Sequence, residues 1–164
     1  MSIQELKQML HWNYFLTLES DVDVVAKQLC PIVNGSSSAT NIEQYRTVLR
    51  PCLPEMENSI VTIPRYDLDL QPWCTWRDDE TPDWWRAHKM VKHQRGEHFA
   101  LANLENVLNA MAGLFLLVLY YYRGVIDGRR IEPPPNLFTP PAELALICPT
   151  MGGRMALFFN EEKH

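Results

Sequence analysis

Apolar residues recur at helical spacing through the first fifty positions of the chain and predict two or three helices there. A capping-box pattern formed by Ser2 and Glu5 opens the first helix. The apolar stripe of this helix comprises Leu6, Leu10, Tyr14 and Leu18. A second capping pattern over positions 20–23 predicts either a continuation or a new helix after a kink, ending at Pro31 and the following glycine-serine loop.

A short helix follows this loop, and after it the pattern of apolar positions changes from helical to alternating. Thr40 and Glu43 predict the start of a short helix that runs to about Leu49 and stops at Pro51. Residues 59–70, SIVTIPRYDLDL, alternate between apolar and polar positions and contain a proline. They predict one or two short edge strands or an extended loop.

The clearest helix signals lie between positions 81 and 122. Thr81 as N-cap and Pro82 at the first helical position predict a helix that ends near Arg95 and Gly96. An amphipathic stretch from His98 merges with an apolar run over 110–122, which predicts one central helix of about 25 residues that ends fully surrounded by protein. The thirteen charge-free residues of that run are too few for a membrane span, which needs about 20 residues.

Prolines and glycines become frequent beyond residue 123. The segment DGRRIEPPPNLFTPP predicts turns and polyproline conformation, and ALICPT and RMALFF on either side of a Met-Gly-Gly turn predict a hairpin. The predicted fold class is therefore mainly α, a helical bundle with a small C-terminal β-hairpin appendage. We expect a single domain over 1–164, with a helical body over about 1–125 and a proline-rich loop and hairpin over about 126–160.

Composition indicates a folded cytoplasmic protein. The 164 residues are 46% hydrophobic and 21% charged, which suits one globular domain. The four cysteines form no C-x-x-C pair and the N-terminus lacks the layout of a secretory signal, so we expect reduced thiols in the cytoplasm. The net charge of −5 argues against broad, non-specific coating of nucleic acid, whereas a small local contact stays open.

One short segment concentrates positive charge in this otherwise acidic chain. Positions 86–95 hold four of the fifteen lysine and arginine residues, and no carboxylate lies between Asp83 and Glu97. The four cations are Arg86, Lys89, Lys92 and Arg95, and the interleaved or adjacent histidines are His88, His93 and His98. We expect any chemistry of the protein to lie where this segment meets the central helix.

A helical projection of residues 82–95 separates an apolar side from a cationic side. The apolar side comprises Trp84, Ala87 and Val91. Arg86, Lys89 and His93 fall within about 60° of one another on the other side, and Arg86 and His93 lie about 10 Å apart along the axis. A histidine relays protons near neutral pH, and a neighbouring cation holds an anion. Arg86 and His93 are therefore the candidate catalytic pair of a metal-independent ribonuclease, with Lys89, Lys92 and Arg95 as phosphate ligands.

Each of these features also has a simpler interpretation. A basic row on a surface helix is usually a solvated face, and this one has upstream carboxylates with which to pair, namely Asp78, Asp79, Glu80 and Asp83. The tryptophans over 73–85 suit a core better than a base-stacking platform. His93, Glu97 and His98 have the wrong spacing for a zinc motif, and no phosphate loop or nucleophile elbow is present, so we predict no metal and no cofactor.

Two strings of the sequence, WWRAHKMVKHQR and ANLENVLNAMAGLFLLVLYYY, resemble an uncharacterised bacterial helical-bundle family. In that family a W-x-x-(Y/H)-(N/K)-x-V-K-H-x-R core precedes an apolar helix. The segments HWNYFLTLES, DVDVVAKQLC, IPRYDLDLQPW and PPPNLF fit the same family, so the resemblance covers most of the chain. Members carry additional residues between the first two of these segments. The resemblance thus implies that this chain lacks a helix between Glu19 and Asp21.

More distantly, Arg86 and His93 are similar to the Arg-x(4–6)-His motif of the HEPN superfamily, with six intervening residues. Ala87 stands where that family more commonly has asparagine. The resemblance implies a metal-independent endoribonuclease or a component of a toxin-antitoxin or phage-defence system, acting as a homodimer on RNA or with an antitoxin. It also implies that Asp21 or Asp23 orients Arg86. The alternative is a non-catalytic interaction module that meets an acidic protein partner and no membrane.

Overall fold

The computed structural model describes the backbone of residues 3–35, 38–93, 98–125 and 130–160, with their side chains except those of residues 3–16 and 99. Within these ranges the α-helices are α1 (Ile3–Asn34), α2 (Ile42–Cys52), α3 (Asp83–His93) and α4 (Leu104–Val125). The strands are β1 (Val61–Ile63), β2 (Leu68–Leu70), β3 (Arg130–Ile131), β4 (Ala145–Pro149) and β5 (Met155–Phe159). The protein is mainly α with a C-terminal β appendage, which confirms the predicted fold class.

Helix α1 is continuous, so the capping pattern over positions 20–23 marks no new helix. The side of α1 that enters the core carries Val22, Ala26, Leu29 and Cys30. The helix does not end at Pro31 as predicted, because the proline removes only one backbone donor and the chain continues for one more turn. It ends where Gly35 takes a φ of 67° and donates its N–H to the Pro31 carbonyl at 2.9 Å. The predicted cap at Ser2 lies outside the described residues.

Helix α2 differs from the prediction at both ends. Its N-cap is Asn41 and not Thr40, since the Asn41 side chain accepts a hydrogen bond from the Gln44 N–H at 3.0 Å. Pro51 lies inside the last turn and does not stop the helix. Beyond it, the Leu53 N–H donates to the Leu49 carbonyl at 2.7 Å, which closes the end of α2.

The segment between α2 and α3 forms a hairpin and then a tryptophan cluster. Strands β1 and β2 pair antiparallel, as the alternating pattern predicted, and a turn over Pro64–Tyr66 joins them. Four indole rings pack together with neighbouring centroids 4.5, 5.2 and 5.7 Å apart, and each residue is at most 4% exposed. These residues are Trp73, Trp76, Trp84 and Trp85. Their predicted place in the core is confirmed.

Helix α4 approaches the tryptophan cluster at Gly113. A Cβ atom there would lie 3.0 Å from Cζ2 of Trp84 and 3.4 Å from Cζ2 of Trp73. The indole N–H of Trp73 donates to the Gly113 carbonyl at 3.3 Å, and that of Trp84 donates to the Pro72 carbonyl at 2.7 Å. The absence of a side chain at position 113 therefore allows the rings to pack directly on the helix backbone.

Helix α4 begins at Leu104, later than the predicted start at His98. Asn103 caps it by accepting a hydrogen bond from the Asn106 N–H at 3.0 Å, and residues 99–101 form a separate 3-10 turn. Its C-terminal end is not surrounded by protein as predicted, because Tyr122 and Val125 are 40% and 49% exposed. The helix packs along α1 and against α3.

Among the described residues, α4 alone has the length and apolar composition of a membrane span. Eight of its residues are buried against the rest of the fold: Val107, Ala110, Ala112, Gly113, Leu116, Leu117, Leu119 and Tyr120. The structure is compatible with a soluble protein, and the cytoplasmic location stays a prediction.

The C-terminal appendage is a three-stranded antiparallel sheet in the order β3–β5–β4. The β4–β5 pair confirms the predicted hairpin, and β3 extends it by a third strand that the sequence did not predict. Ala145, Leu157 and Phe159 from this sheet belong to the same hydrophobic core as the helices. The appendage is therefore packed onto the helical body.

Candidate functional site

Helix α3 has one buried side and one charged side, as the helical projection predicted. Its buried residues are Trp84, Trp85, Ala87, His88 and Val91. Its exposed cationic side, which we call the α3 basic face, consists of Arg86, Lys89, Lys92 and His93. The fourth predicted cation, Arg95, lies outside the described residues.

Arg86 is paired with carboxylates that are close to it in sequence. Its Nη2 atom contacts the Asp83 carboxylate and lies 3.8 Å from Oε2 of Glu80. The hydrogen bond and negative charge of Asp83 raise the pKa of Arg86. This pairing is the one expected of a solvated helix face, and it holds the guanidinium at the N-terminal end of α3, whereas His93 lies at the C-terminal end.

The predicted supporting carboxylates on α1 do not orient Arg86. Asp23 accepts a hydrogen bond from the Tyr45 hydroxyl at 2.5 Å and pairs with Lys27 one helical turn away. Asp21 is exposed to solvent. Asp83 and Glu80 lie three and six residues before Arg86, so they reach its guanidinium without any contact between helices. For this reason Arg86 pairs with them and not with the carboxylates of α1.

A group of ionisable side chains, of which only Lys92 is largely exposed, joins α1 to α3, and the sequence did not predict it. Nδ1 of His88 lies 2.7 Å from Oε2 of Glu19, and Nζ of Lys92 lies 3.6 Å from the same oxygen. His88 is 1% exposed, and the Glu19 side chain is 15% exposed. We call this group the Glu19–His88–Lys92 cluster.

The charges of this cluster keep Glu19 ionised. Burial raises the pKa of Glu19, but the hydrogen bond from His88 and the positive charges of His88, Lys92 and Lys89 outweigh it, so the pKa lies below its ordinary value. A helical wheel does indicate that His88 is buried, since it falls within about 60° of Trp84 and Val91. Its partner on α1 depends on how the two helices pack, and the sequence carries no signal for that.

The α3 basic face thus offers two ammonium groups and an exposed imidazole beside a guanidinium that carboxylates already hold. In the described part of the chain, no three His, Cys, Asp or Glu residues come close enough to hold a metal ion. No protein-family model, curated protein or solved structure matches this chain. The family resemblances of the sequence therefore stay predictions, and the function has to be argued from the face itself.

Proposed function

We propose that this protein is a non-catalytic interaction module whose α3 basic face binds an acidic segment of a partner protein. The observation that supports this proposal is the pairing of Arg86. Its guanidinium is already paired with the carboxylates of Asp83 and Glu80, whereas Lys89 and His93 face solvent. A ribonuclease of the predicted kind needs that guanidinium for the phosphate. A binding face needs only accessible hydrogen-bond donors and positive charge, and Lys89 supplies the charge while His93 supplies an exposed imidazole beside it.

The surroundings of the face favour a short acidic protein segment over nucleic acid. Four exposed carboxylates precede the face in the chain, on Asp78, Asp79, Glu80 and Asp83. A phosphate backbone that continued past the face would meet their negative charge. Nucleic-acid affinity also grows with the number of phosphates that are neutralised, and α3 presents few free cations for that purpose. A short acidic segment can contact the cations and avoid the carboxylates.

Binding of a fluorescein-labelled deca-glutamate peptide, measured by fluorescence anisotropy, tests this proposal. We expect Lys89→Glu to weaken binding at least about fivefold, since one exposed ion pair contributes about 1 kcal/mol. Added salt should weaken binding of the wild-type protein as well. The matched control is Arg65→Glu, which makes the same charge change at an exposed position on the β1–β2 turn. The proposal fails if the wild-type protein does not bind or if both variants lose affinity equally.

A metal-independent endoribonuclease, alone or within a toxin-antitoxin or phage-defence system, is the second candidate function. The observation that favours it is that Arg86, Lys89 and His93 share one solvent-exposed side of α3. In this mechanism a phosphate displaces Asp83 from Arg86, and His93 accepts the proton of the 2′-hydroxyl as that oxygen attacks the phosphorus. The bond from phosphorus to the 5′-oxygen breaks, the 5′-oxygen takes a proton from water, and the products are a 2′,3′-cyclic phosphate and a 5′-hydroxyl. Lys89 and Lys92 hold neighbouring phosphates.

Cleavage of single-stranded RNA in excess EDTA tests the second candidate. We expect Arg86→Ala and His93→Ala each to slow cleavage by about 10²-fold or more while circular dichroism shows an intact fold. Neutralising Lys89 should lower the salt slope of RNA binding by about one unit, whereas Lys27→Gln on α1 should not. Wild-type protein without cleavage, or variants that cleave normally, would exclude the enzyme and leave the interaction module.

A further inference from the structure

The C-terminal sheet carries an open groove that shares no residue with α3. Its apolar lining comes from Pro133, Pro134, Ile147 and Met155, and Arg154 and Asn136 lie at its rim. The volume of the groove is about 730 Å³. We call it the hairpin groove. It is formed where the segment after β3 passes the β4–β5 turn.

The rim of the hairpin groove carries a positive charge, that of Arg154, which forms no ion pair within the part of the chain that the structure describes. Among the described residues, no carboxylate is close enough to the exposed Arg154 guanidinium to form an ion pair with it. Glu132, which also borders the groove, is engaged by Arg130 at 3.6 Å. Arg130 and Arg154 together border a second hollow of about 620 Å³ that adjoins the first. An anionic group placed beside Arg154 would therefore meet an available partner.

Exposed apolar side chains extend the surface beyond the groove itself. Leu137 and Met151, outside the lining of the groove, are 40% and 110% exposed, and Met155 within the lining is 46% exposed. Methionine side chains adapt to different apolar partners, and exposed apolar surface beside a groove is typical of protein interaction sites. Such a surface is too broad and too open for a small ligand, which is usually enclosed on most sides.

We propose that the hairpin groove binds an extended peptide segment of a partner protein in which apolar and acidic side chains alternate. Successive side chains of an extended chain point in opposite directions, so apolar residues at every second position can contact Ile147 and Met155. The intervening residues then point away from the apolar lining toward the open rim, where Arg154 can hold a carboxylate by two hydrogen bonds. This inference does not depend on the function proposed for the α3 basic face, because the two surfaces have no residue in common.

Methyl NMR of the full chain with ¹³C-labelled methionines tests this inference, using an acetylated Leu-Glu-Leu-Glu-Leu-Glu-Leu peptide as the probe. We expect saturable shifts of the Met155 and Met151 methyl resonances, and none with the matched Leu-Lys peptide. Arg154→Glu should weaken the response at least about fivefold, while the matched Arg65→Glu variant should leave it unchanged.

Several outcomes would overturn the inference. These are no shift at Met155, an equal response to both peptides, or a response that Arg154→Glu leaves intact. A shift confined to the methyl of Met90, which is 43% exposed on α3, would place the peptide on the α3 basic face and support the proposed function instead. A shift of Met155 on replacing Glu161 and Glu162 by glutamine, without peptide, would show that the chain's own C-terminal carboxylates occupy the groove. Failure of deca-glutamate binding would leave the inference standing if Met155 still responds.

Discussion

Glu19 lies on α1 and its side chain reaches α3, where its carboxylate contacts Nδ1 of His88 at 2.7 Å and Nζ of Lys92 at 3.6 Å. An ionised carboxylate with so little access to water stabilises a fold only when its partners replace the lost hydration. The imidazole and the ammonium group provide that replacement, and they keep the pKa of Glu19 below its ordinary value against the effect of burial. The cluster therefore stabilises the contact between α1 and α3 while Glu19 is charged.

Glu19→Gln should lower the free energy of unfolding by about 1–3 kcal/mol at pH 7, the range for a lost charged hydrogen bond in a buried site. A lowered pKa means that the unfolded chain takes up the proton first as the pH falls. The contribution of Glu19 is therefore complete above its ordinary pKa of about 4.3 and is lost as the pH falls through the lowered pKa. Urea denaturation of wild-type protein and variant between pH 7 and pH 3 measures this difference.

The matched control for that measurement is Asp21→Asn, at an exposed carboxylate on the same helix. It should change the unfolding free energy by less than about 0.5 kcal/mol throughout this pH range. A cost for Glu19→Gln that does not shrink below pH 4, or one that Asp21→Asn reproduces, would contradict the role assigned to the cluster.

The residues of α3 show what can be predicted at this scale. The outward direction of Arg86 and the inward direction of Val91 follow from helical geometry and were predicted. The pairing of Arg86 with Asp83 is also local, since the two are three residues apart on one helix. The pairing of His88 with Glu19 was not predictable, because it requires knowledge of which turn of α1 lies over α3.

At the scale of elements, the helices were easier to predict than their ends. A capping pattern depends on one or two side chains, and neighbouring polar residues compete for the position. Before α2 the pairs Thr40–Glu43 and Asn41–Gln44 both have cap spacing, and the structure uses the second. The Gln44 side chain in turn accepts hydrogen bonds from the N–H and hydroxyl of Thr40 at 2.7 and 3.0 Å. Glu43 is directed elsewhere, toward Arg46 and Thr81.

Alanine substitution distinguishes the two caps of α2. We expect Asn41→Ala to lower the free energy of unfolding by about 1 kcal/mol, because it leaves the Gln44 N–H without its side-chain acceptor. Thr40→Ala should cost less than about 0.5 kcal/mol, since it removes only one exposed side-chain hydrogen bond. Urea denaturation at pH 7 measures both. A larger loss for Thr40→Ala would show that the cap predicted from the sequence is the one that matters.

The whole molecule is organised around α4 and the tryptophan cluster. Helix α1 packs along α4, α3 packs against both, and the C-terminal sheet adds Leu157 and Phe159 to the same core. Helix α4 is long and apolar enough to cross a membrane, and eight of its residues are buried in contact with the rest of the fold. Gly113 sets how closely the rings approach.

The amino-acid sequence by itself determined the fold class, the two-sided character of α3, the burial of the tryptophans and the β4–β5 hairpin. Each of these depends on periodicity or on residues close together in the chain, and such information is present in the sequence. Only the tertiary structure decided the partner of His88, the third strand of the C-terminal sheet and the groove beside Arg154. Those features join segments that are far apart in sequence, so they exist only once the helices and the sheet have packed on a common core.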